Sequence, residues 1–370
     1  MSRAAPQIAA DALAAKVAVG EPLTVLDVRR DAEWRIEGPG LNFVHLPAAA
    51  VLDDVAGVTD RLRGAVAVVC ERGRAAQGVA DALRAAGVEA SVLANGMRGW
   101  IETLQGYPVD LGLPGVQVMQ VQRPGRGCLS YLIAVGGEAL VVDPAPDAAF
   151  YCDLAERVGA RVTQVFDTHV HADHLSGARA LADLTGARLR LPAASLERGI
   201  AFADRVEPVV DGEEIVPGPP AIRALALPGH TTDMTGLLIG ERALVAGDSL
   251  FADGIARPDL QRGDREGALG MARVLHNTLR ERILPRPGDL TLLPGHAHPG
   301  VRPAAIAPSL DQVRAAVPEL SIEDPDRFAA MLIADMPPRP ANYESIIAAN
   351  SGREDLDPEL EGGGNSCAAR

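Results

Sequence analysis

Three histidines and an aspartate stand within one short stretch of this chain, Thr168-His169-Val170-His171-Ala172-Asp173-His174. The whole sequence contains only eight histidines, so this stretch holds a large share of them. It follows an apolar run of residues 162–166, which predicts that it lies on the turn that ends a β-strand. Imidazole and carboxylate donors together suit zinc, iron or manganese better than calcium or magnesium. We therefore interpret this stretch as part of a metal site.

Three further metal-capable side chains each follow a glycine at the end of a predicted strand. His230 comes after Gly229, Asp248 after Gly247, and His296 after Gly295. A glycine at such a position lets the backbone turn sharply and present the next side chain to a shared rim. We expect four strand ends to meet at one site.

The composition is that of an ordinary globular protein with two domains. The chain has 370 residues, of which 47% are hydrophobic and 23% charged, and a domain holds roughly 100–200 residues. The net charge of −14 argues against nucleic acid and an anionic membrane surface as partners. There is no signal-peptide core, and the four cysteines show no metal-type spacing. We expect a cytoplasmic protein, with a homodimer as the default oligomeric state.

The first part of the chain alternates short strands with helices. Strands are predicted over residues 23–28, 64–69 and 90–93, with a helix over residues 74–86. This alternation predicts a parallel sheet with helices on both faces. The predicted organisation is a first domain over residues 1–110, a linker over 111–115, a second domain over 115–350 and a flexible acidic, glycine-rich tail over 351–370 that contains Cys367.

The metal-capable residues resemble the ligand set of the metallo-β-lactamase superfamily. This resemblance covers residues 115–350 and implies a four-layer αββα sandwich with the metal at the edge between two sheets. It leaves two alternatives open. In the first, one Fe(II) per chain is held by His169, His230 and Asp248, as in persulfide dioxygenases. The other four residues then orient ligands and bind water; they are His171, Asp173, His174 and His296. In the second, all seven residues hold two zinc ions, as in thioesterases of the glyoxalase II type.

Segments outside the ligand set favour the dioxygenase. The segment Asp248-Ser249-Leu250-Phe251 and the following Ile255–Gln261 resemble the part of persulfide dioxygenases that follows the aspartate ligand. There an arginine and an aspartate support the active site, and they map onto Arg257 and Asp259. The segment Arg126–Tyr131 is similar to that family's entry strand, within which we interpret Cys128 as a small buried residue.

The first domain resembles a rhodanese. Cys70 lies between a predicted strand and a predicted helix, at the position of the rhodanese active loop. A loop before a helix directs backbone N–H groups inward and lowers a cysteine pKa, which produces the thiolate that attacks sulfane sulfur. The same loop, with Arg72 and Arg74, would hold thiosulfate or sulfite.

Together the two resemblances imply a persulfide dioxygenase coupled to rhodanese sulfur transfer. Its small-molecule partners would be a low-molecular-weight thiol persulfide, O2, and sulfite or thiosulfate, with the carrier thiol left open. The alternative is a dinuclear zinc thioesterase whose rhodanese domain binds a sulfur carrier without catalysis.

Overall fold

The protein is described by a computed structural model that covers residues 4–32, 34–261, 264–334, 336–339 and 342–362. The chain divides into two compact units. The first comprises residues 1–105, 122–127 and 298–304, and the second comprises the remainder. The second unit thus begins before the predicted boundary at residue 110. Leu111, which we placed in a linker, is buried in the core of the second unit.

A five-stranded parallel sheet forms the first unit, in the order β1-β5-β4-β2-β3. Its strands are β1 (Gln7–Ile8), β2 (Leu23–Asp27), β3 (Asn42–His45), β4 (Ala65–Val69) and β5 (Ala90–Leu93). Its helices are α1 (Ala10–Ala18), α2 (Ala48–Asp53), α3 (Val55–Thr59), α4 (Arg74–Ala85) and α5 (Gly96–Glu102).

The central strand β4 packs against helices on both faces of the sheet. It is apolar throughout, as expected of a strand that is buried on both sides. Val66 and Val68 point to the face that packs against α2 and α4, whereas Ala67 and Val69 point to the face covered by α1 and α5. The predicted parallel sheet with helices on both faces is confirmed.

Two sheets form the second unit. The first has seven strands in the order β12-β11-β10-β9-β8-β7-β6, and the second has five in the order β13-β14-β15-β16-β17. The strands of the first sheet are β6 (Gln105–Val109), β7 (Val116–Arg123), β8 (Cys128–Val135), β9 (Glu138–Val142), β10 (Arg161–Phe166), β11 (Arg188–Pro192) and β12 (Val206–Val209). Those of the second are β13 (Glu214–Val216), β14 (Ile222–Ala226), β15 (Thr235–Ile239), β16 (Ala243–Gly247) and β17 (Thr291–Pro294).

Helices cover the outer faces of these two sheets. The helices are α6 (Ala148–Arg157), α7 (Ala178–Thr185), α8 (Ala193–Leu196), α9 (Arg265–Thr278), α10 (Leu310–Ala316), α11 (Pro325–Ala334) and α12 (Tyr343–Asn350). Helices α6 and α7 pack against β10, and α9 and α11 pack on the outer face of the five-stranded sheet. Phe166 and Leu237 are among the buried residues that fill the space between the sheets. The predicted four-layer αββα sandwich is confirmed.

The C-terminal segment differs from its prediction as a flexible tail. Residues Pro358–Glu361 form a 3-10 helix, and both Ser351 and Glu361 are buried. The acidic composition suggested disorder, but these buried groups pack within the second unit, of which they are part. Residues 363–370, which include Cys367, lie outside the described residues. Within the described ranges, no helix is long and apolar enough to cross a membrane.

Candidate metal centre

The loop that joins β10 to α7, here called the metal loop (residues 167–177), carries the predicted histidine cluster. Side chains that follow β14, β16 and β17 of the other sheet meet it there. Every one of these predicted donors is buried, with at most 7% of the residue exposed. The residues brought together are His169, His171, Asp173, His174, His230, Asp248 and His296.

Glycines allow the strand ends to approach one another this closely. Gly229 has a φ of +149°, and a Cβ atom there would lie 2.5 Å from Cα of Leu275. A Cβ atom on Gly295 would lie 2.4 Å from Oδ1 of Asp248. Any larger residue would push the neighbouring backbone or the carboxylate out of place. The glycines before His230 and His296 are therefore part of the construction of the site.

Three donor atoms face one another in the first group of side chains. Nε2 of His169 and Nε2 of His230 lie 3.9 and 3.7 Å from Oδ2 of Asp248. All three atoms are buried, and none has a hydrogen-bond partner among the described residues. Buried polar atoms are nearly always paired, so three unpaired atoms that converge fit a bound cation.

The remaining polar atoms of these three side chains are held by neighbours. Nδ1 of His230 donates to the carbonyl oxygen of Arg257 at 2.7 Å. Nδ1 of His169 lies 2.9 Å from the Thr168 hydroxyl, which itself donates to Asp143 and so accepts from the imidazole. Both histidines therefore carry their lone pair on Nε2, toward the group. Oδ1 of Asp248 lies 2.7 Å from Nδ1 of His296.

The charge states of this group also suit a metal. Burial is the main cause that lowers the pKa of His169 well below its ordinary value, and it lowers that of His230 as well. Burial alone would raise the pKa of Asp248, but His296 and His230 outweigh it and lower that pKa. Two neutral imidazoles and one carboxylate are the forms that bind metal.

His171 is engaged by a different pair of carboxylates. Its Nε2 atom lies 3.2 Å from Oδ1 of Asp143 and 3.9 Å from Oδ1 of Asp167. Burial alone lowers the pKa of His171, but these carboxylates outweigh it and raise that pKa. Burial and the nearby Asp143 raise the pKa of Asp167 to about 6. Asp143 adopts a φ of +51°, and its Oδ1 atom accepts from the N–H of Thr168 at 2.7 Å.

A second group of donors contains a residue that we had interpreted as packing. Donor atoms of Cys128, Asp173, His174 and His296 lie within 4.8 Å of one another, and all four residues are buried. Asp173 lies 3.0 Å from Nδ1 of His174 and 2.8 Å from Nε2 of His296. Burial alone raises the pKa of the Cys128 thiol, but the two imidazoles outweigh it and lower that pKa to about 6.

Sequence reasoning missed the roles of Cys128, Asp143 and Asp167. The signal for Asp143 was present, because it directly follows β9, just as the predicted donors follow their strands. Cys128 gave no such signal, since it begins β8 and meets His296 only through an antiparallel bridge between distant segments.

Arg257 and Asp259 lie beside the first group rather than within it. The Arg257 side chain is fully buried and donates to both oxygens of Asp259, at 2.7 and 3.1 Å. It also donates to the carbonyl oxygens of Pro337 and Pro338. Arg339 donates to Asp259 at 2.9 Å. The Arg257 side chain thus secures residues 337–339, while its backbone carbonyl orients His230.

We expect Asp259→Asn to lower the free energy of unfolding of the metal-free protein by roughly 3 kcal/mol at pH 7, because it leaves a buried guanidinium without its charge partner. Burial alone raises the pKa of Asp259, but Arg257 and Arg339 outweigh it and hold that pKa below its ordinary value of 3.8. A carboxylate of this kind stabilises the fold above its ordinary pKa, and the contribution is lost as pH falls through the lowered pKa. Urea unfolding should show a difference in the free energy of unfolding between the unmodified protein and Asp259→Asn at pH 7, and this difference should narrow below about pH 4.

Asp289→Asn is the matched control for this substitution. Asp289 pairs with Arg242 at 3.0 Å on the surface, where 72% of its side chain is exposed. We expect it to change the free energy of unfolding by less than about 1 kcal/mol. Equal losses in the two variants would contradict a structural role for the buried pair.

The first unit contains the predicted cysteine loop. Cys70 is buried and follows β4, and Gly73, with a φ of +81°, precedes α4. The N–H of Met97 donates to the carbonyl oxygen of Cys70 at 2.9 Å, and Gly96 packs so closely that a Cβ atom there would lie 2.1 Å from that oxygen. Arg72 is exposed on this loop, and Arg74 is exposed at the first position of α4.

Comparisons with known proteins relate this chain to one superfamily. Residues 123–296 match the metallo-beta-lactamase superfamily. The hydroxyacylglutathione hydrolase of Acidiphilium cryptum is 39% identical over 128 residues, or 35% of this chain, and the match spans only 51% of that protein. The hydroxyacylglutathione hydrolase of Brucella anthropi is 31% identical over 207 residues, which cover 56% of this chain and 73% of that protein.

Other similar proteins are persulfide dioxygenases. The mitochondrial persulfide dioxygenase ETHE1 of Bos taurus is 25% identical over 240 residues, which cover 64% of this chain and 87% of that protein. The crystal structure of ETHE1 from Myxococcus xanthus is 26% identical, covers 63% of this chain and 97% of its own, and superposes with a TM-score of 0.53. The chain belongs to the metallo-β-lactamase superfamily, as its fold, its buried donor groups and these similarities together show.

Proposed function

We propose that the second unit is an iron(II)-dependent persulfide dioxygenase, which converts a thiol persulfide, O2 and water to the thiol, sulfite and two protons. The observation that carries this proposal is the group of three unpaired donor atoms on His169, His230 and Asp248. Two imidazoles and one carboxylate are typical of non-haem iron sites that activate O2, since they leave coordination positions open. When bound there, iron(II) would supply electrons and a template that holds O2 beside the persulfide sulfur.

The position of His171 supports a site of three donors. Its Nε2 atom is paired with Asp143 and lies near Asp167, and its Nδ1 atom, which is buried without a hydrogen-bond partner among the described residues, is not part of the first group. Thr168 and the carbonyl of Arg257 fix the two ligand imidazoles from behind. Burial of all these side chains keeps bulk water away, which strengthens their electrostatic interactions with a bound ion.

Similarity to proteins of known activity adds to this proposal. The bovine persulfide dioxygenase matches over most of its own length, and the Myxococcus xanthus ETHE1 structure over nearly all of its chain. The hydroxyacylglutathione hydrolase of Acidiphilium cryptum matches over about half of its length. We propose iron(II), one per chain, as the cofactor.

For the first unit we propose rhodanese-type sulfur transfer through Cys70. The thiol stands between a buried parallel strand and the start of α4, where backbone N–H groups favour negative charge. The exposed Arg72 and Arg74 add positive charge for an anionic substrate. Sulfite from the second unit would accept the outer sulfur of a Cys70 persulfide, which releases thiosulfate and restores the thiol.

One observation favours a second candidate, a dinuclear zinc thioesterase of the glyoxalase II type. The group of Cys128, Asp173, His174 and His296 adjoins Asp248, whose Oδ1 atom lies 2.7 Å from His296. Together the two groups would hold two zinc ions. In this alternative the first unit binds a sulfur carrier without catalysing transfer.

An oxygen electrode and a thioester assay on the same preparations separate these candidates. The full chain, loaded with Fe(II) and given glutathione persulfide, is expected to consume O2 and release an equal amount of sulfite. Parallel samples loaded with Zn(II) receive a glutathione thioester. Thioester cleavage with two bound zinc ions, and no oxygen uptake with the persulfides of glutathione or coenzyme A, would reject the dioxygenase in favour of the hydrolase.

A further inference from the structure

Asn350, the last residue of α12, directs its whole side-chain amide at the metal loop. Its Nδ2 atom donates to the carbonyl oxygens of His171 and His174, at 3.0 and 2.8 Å. Its Oδ1 atom accepts from the N–H of Ser176 at 2.9 Å. Asn350 lies more than 170 residues from each of these partners and is only 9% exposed. One amide thus satisfies three backbone groups of a loop that carries four donors.

Two further contacts from the same end of the chain reach this loop. Oε1 of Glu361, which is 3% exposed, accepts from the N–H of Leu175 at 2.8 Å. Leu175 also packs in a small apolar cluster with Ile346 and Ala349 of α12. Residues 342–362, here called the C-terminal clamp, therefore hold the loop by both hydrogen bonds and apolar contact.

The metal loop depends on such support because it lies outside regular secondary structure. No helix or strand includes residues 167–177, so their backbone groups lack the partners that a ladder would supply. A metal site requires its donor atoms to be held within about 0.5 Å of the binding geometry, so a small shift of the loop that carries them weakens binding. Of the described residues that hold the loop from the C-terminal clamp, Asn350 makes the most bonds.

We propose that Asn350 is a positioning residue, which holds the backbone of the metal loop so that its donors can bind a metal ion. Its own atoms belong to none of the three groups of potential metal donors, so it acts through the backbone of His171, His174 and Ser176. This inference rests on the proposed metal site, but it does not depend on which reaction that site catalyses.

The test measures binding of Co(II) and Fe(II) to the full chain without turnover. We expect Asn350→Ala to weaken Co(II) binding by roughly 10–100-fold and to change the visible ligand-field spectrum of the bound ion. Asn350→Asp keeps the acceptor for Ser176 but places a carboxylate against two carbonyl oxygens, so we expect at least as large a loss. Asn42→Ala is the control, since that amide donates to Thr24 and to the carbonyl oxygen of Arg61 in the first unit, and this variant should bind Co(II) as the unmodified chain does.

A folded Asn350→Ala protein with unchanged affinity and spectrum would overturn the proposal. If that variant fails to fold, Asn350→Asp replaces it. A carboxylate at this position repels the carbonyl oxygens of His171 and His174, to which the amide donates, so a folded Asn350→Asp protein that binds Co(II) as tightly as the unmodified chain would overturn the proposal. Weakened Co(II) binding in a chain whose Fe(II) form consumes no O2 would reject the dioxygenase and leave the role of Asn350 standing.

Discussion

Asp248→Ala is expected to abolish oxygen uptake and to remove high-affinity iron binding. Asp248 is the only carboxylate in the first donor group, and its Oδ2 atom faces both unpaired imidazole nitrogens, at 3.9 and 3.7 Å. Without it, two neutral histidines remain and the charge of the ion is not balanced. Loss of metal-assisted stabilisation worth several kcal/mol corresponds to a fall in kcat of roughly 10³-fold or more. Iron content after dialysis and oxygen-electrode rates measure the two effects.

Asp173→Ala serves as the matched control, because Asp173 belongs to the second donor group only. With one iron per chain, this variant is expected to retain its iron and part of its activity. With two zinc ions per chain, it should lose one of them. An Asp248→Ala protein that binds iron as tightly as the unmodified chain and still consumes O2 would contradict the proposed site.

Cys70→Ser is expected to eliminate sulfur transfer and leave oxygen uptake intact. A serine hydroxyl cannot form the persulfide that carries the transferred sulfur, so the rate should fall by roughly 10³-fold or more, as for other lost nucleophiles. The side chain is buried at the end of β4, where serine fits in place of cysteine. Thiosulfate consumption with cyanide as acceptor measures the transfer, and mass spectrometry detects sulfur bound to the protein.

Cys152→Ser removes a different thiol as the control. Cys152 lies on α6, and burial together with Asp153 and Glu156 raises the pKa of its thiol. We expect this variant to transfer sulfur normally. If Cys70→Ser leaves all turnover unchanged, the first unit is a binding module rather than a sulfurtransferase.

Much of the second unit could be predicted from the sequence because its donors follow apolar strands. His169, His230, Asp248 and His296 each come after a buried strand, and three of them follow a glycine. Local signals were weaker elsewhere. Strand β11 alternates arginine with leucine over residues 188–191, a strand pattern too short to stand out from its surroundings, and β15 contains a glycine, which weakens its strand pattern.

The parts of the site that were missed depend on tertiary contacts. The sequence contains no sign that His171 pairs with Asp143 and lies near Asp167, or that Cys128 meets the histidines of two other segments. The acidic composition of the C-terminal residues predicted a disordered tail. Only the fold shows that Glu361 accepts a hydrogen bond from the backbone of Leu175. Composition describes a segment alone, whereas burial depends on what packs against it.

The separation of the donors along the chain sets the order in which the site can assemble. Asp248 and His296, whose side chains are in contact, are 48 residues apart. Closing one loop of that length costs roughly 3 kcal/mol of conformational entropy, so the separated donors bind an ion more weakly in the unfolded chain than in the folded site. An ion that binds only the native state stabilises it, by about 4 kcal/mol at a thousandfold excess over Kd. Metal supply would then govern how long each folded copy survives proteolysis, as well as how fast it turns over.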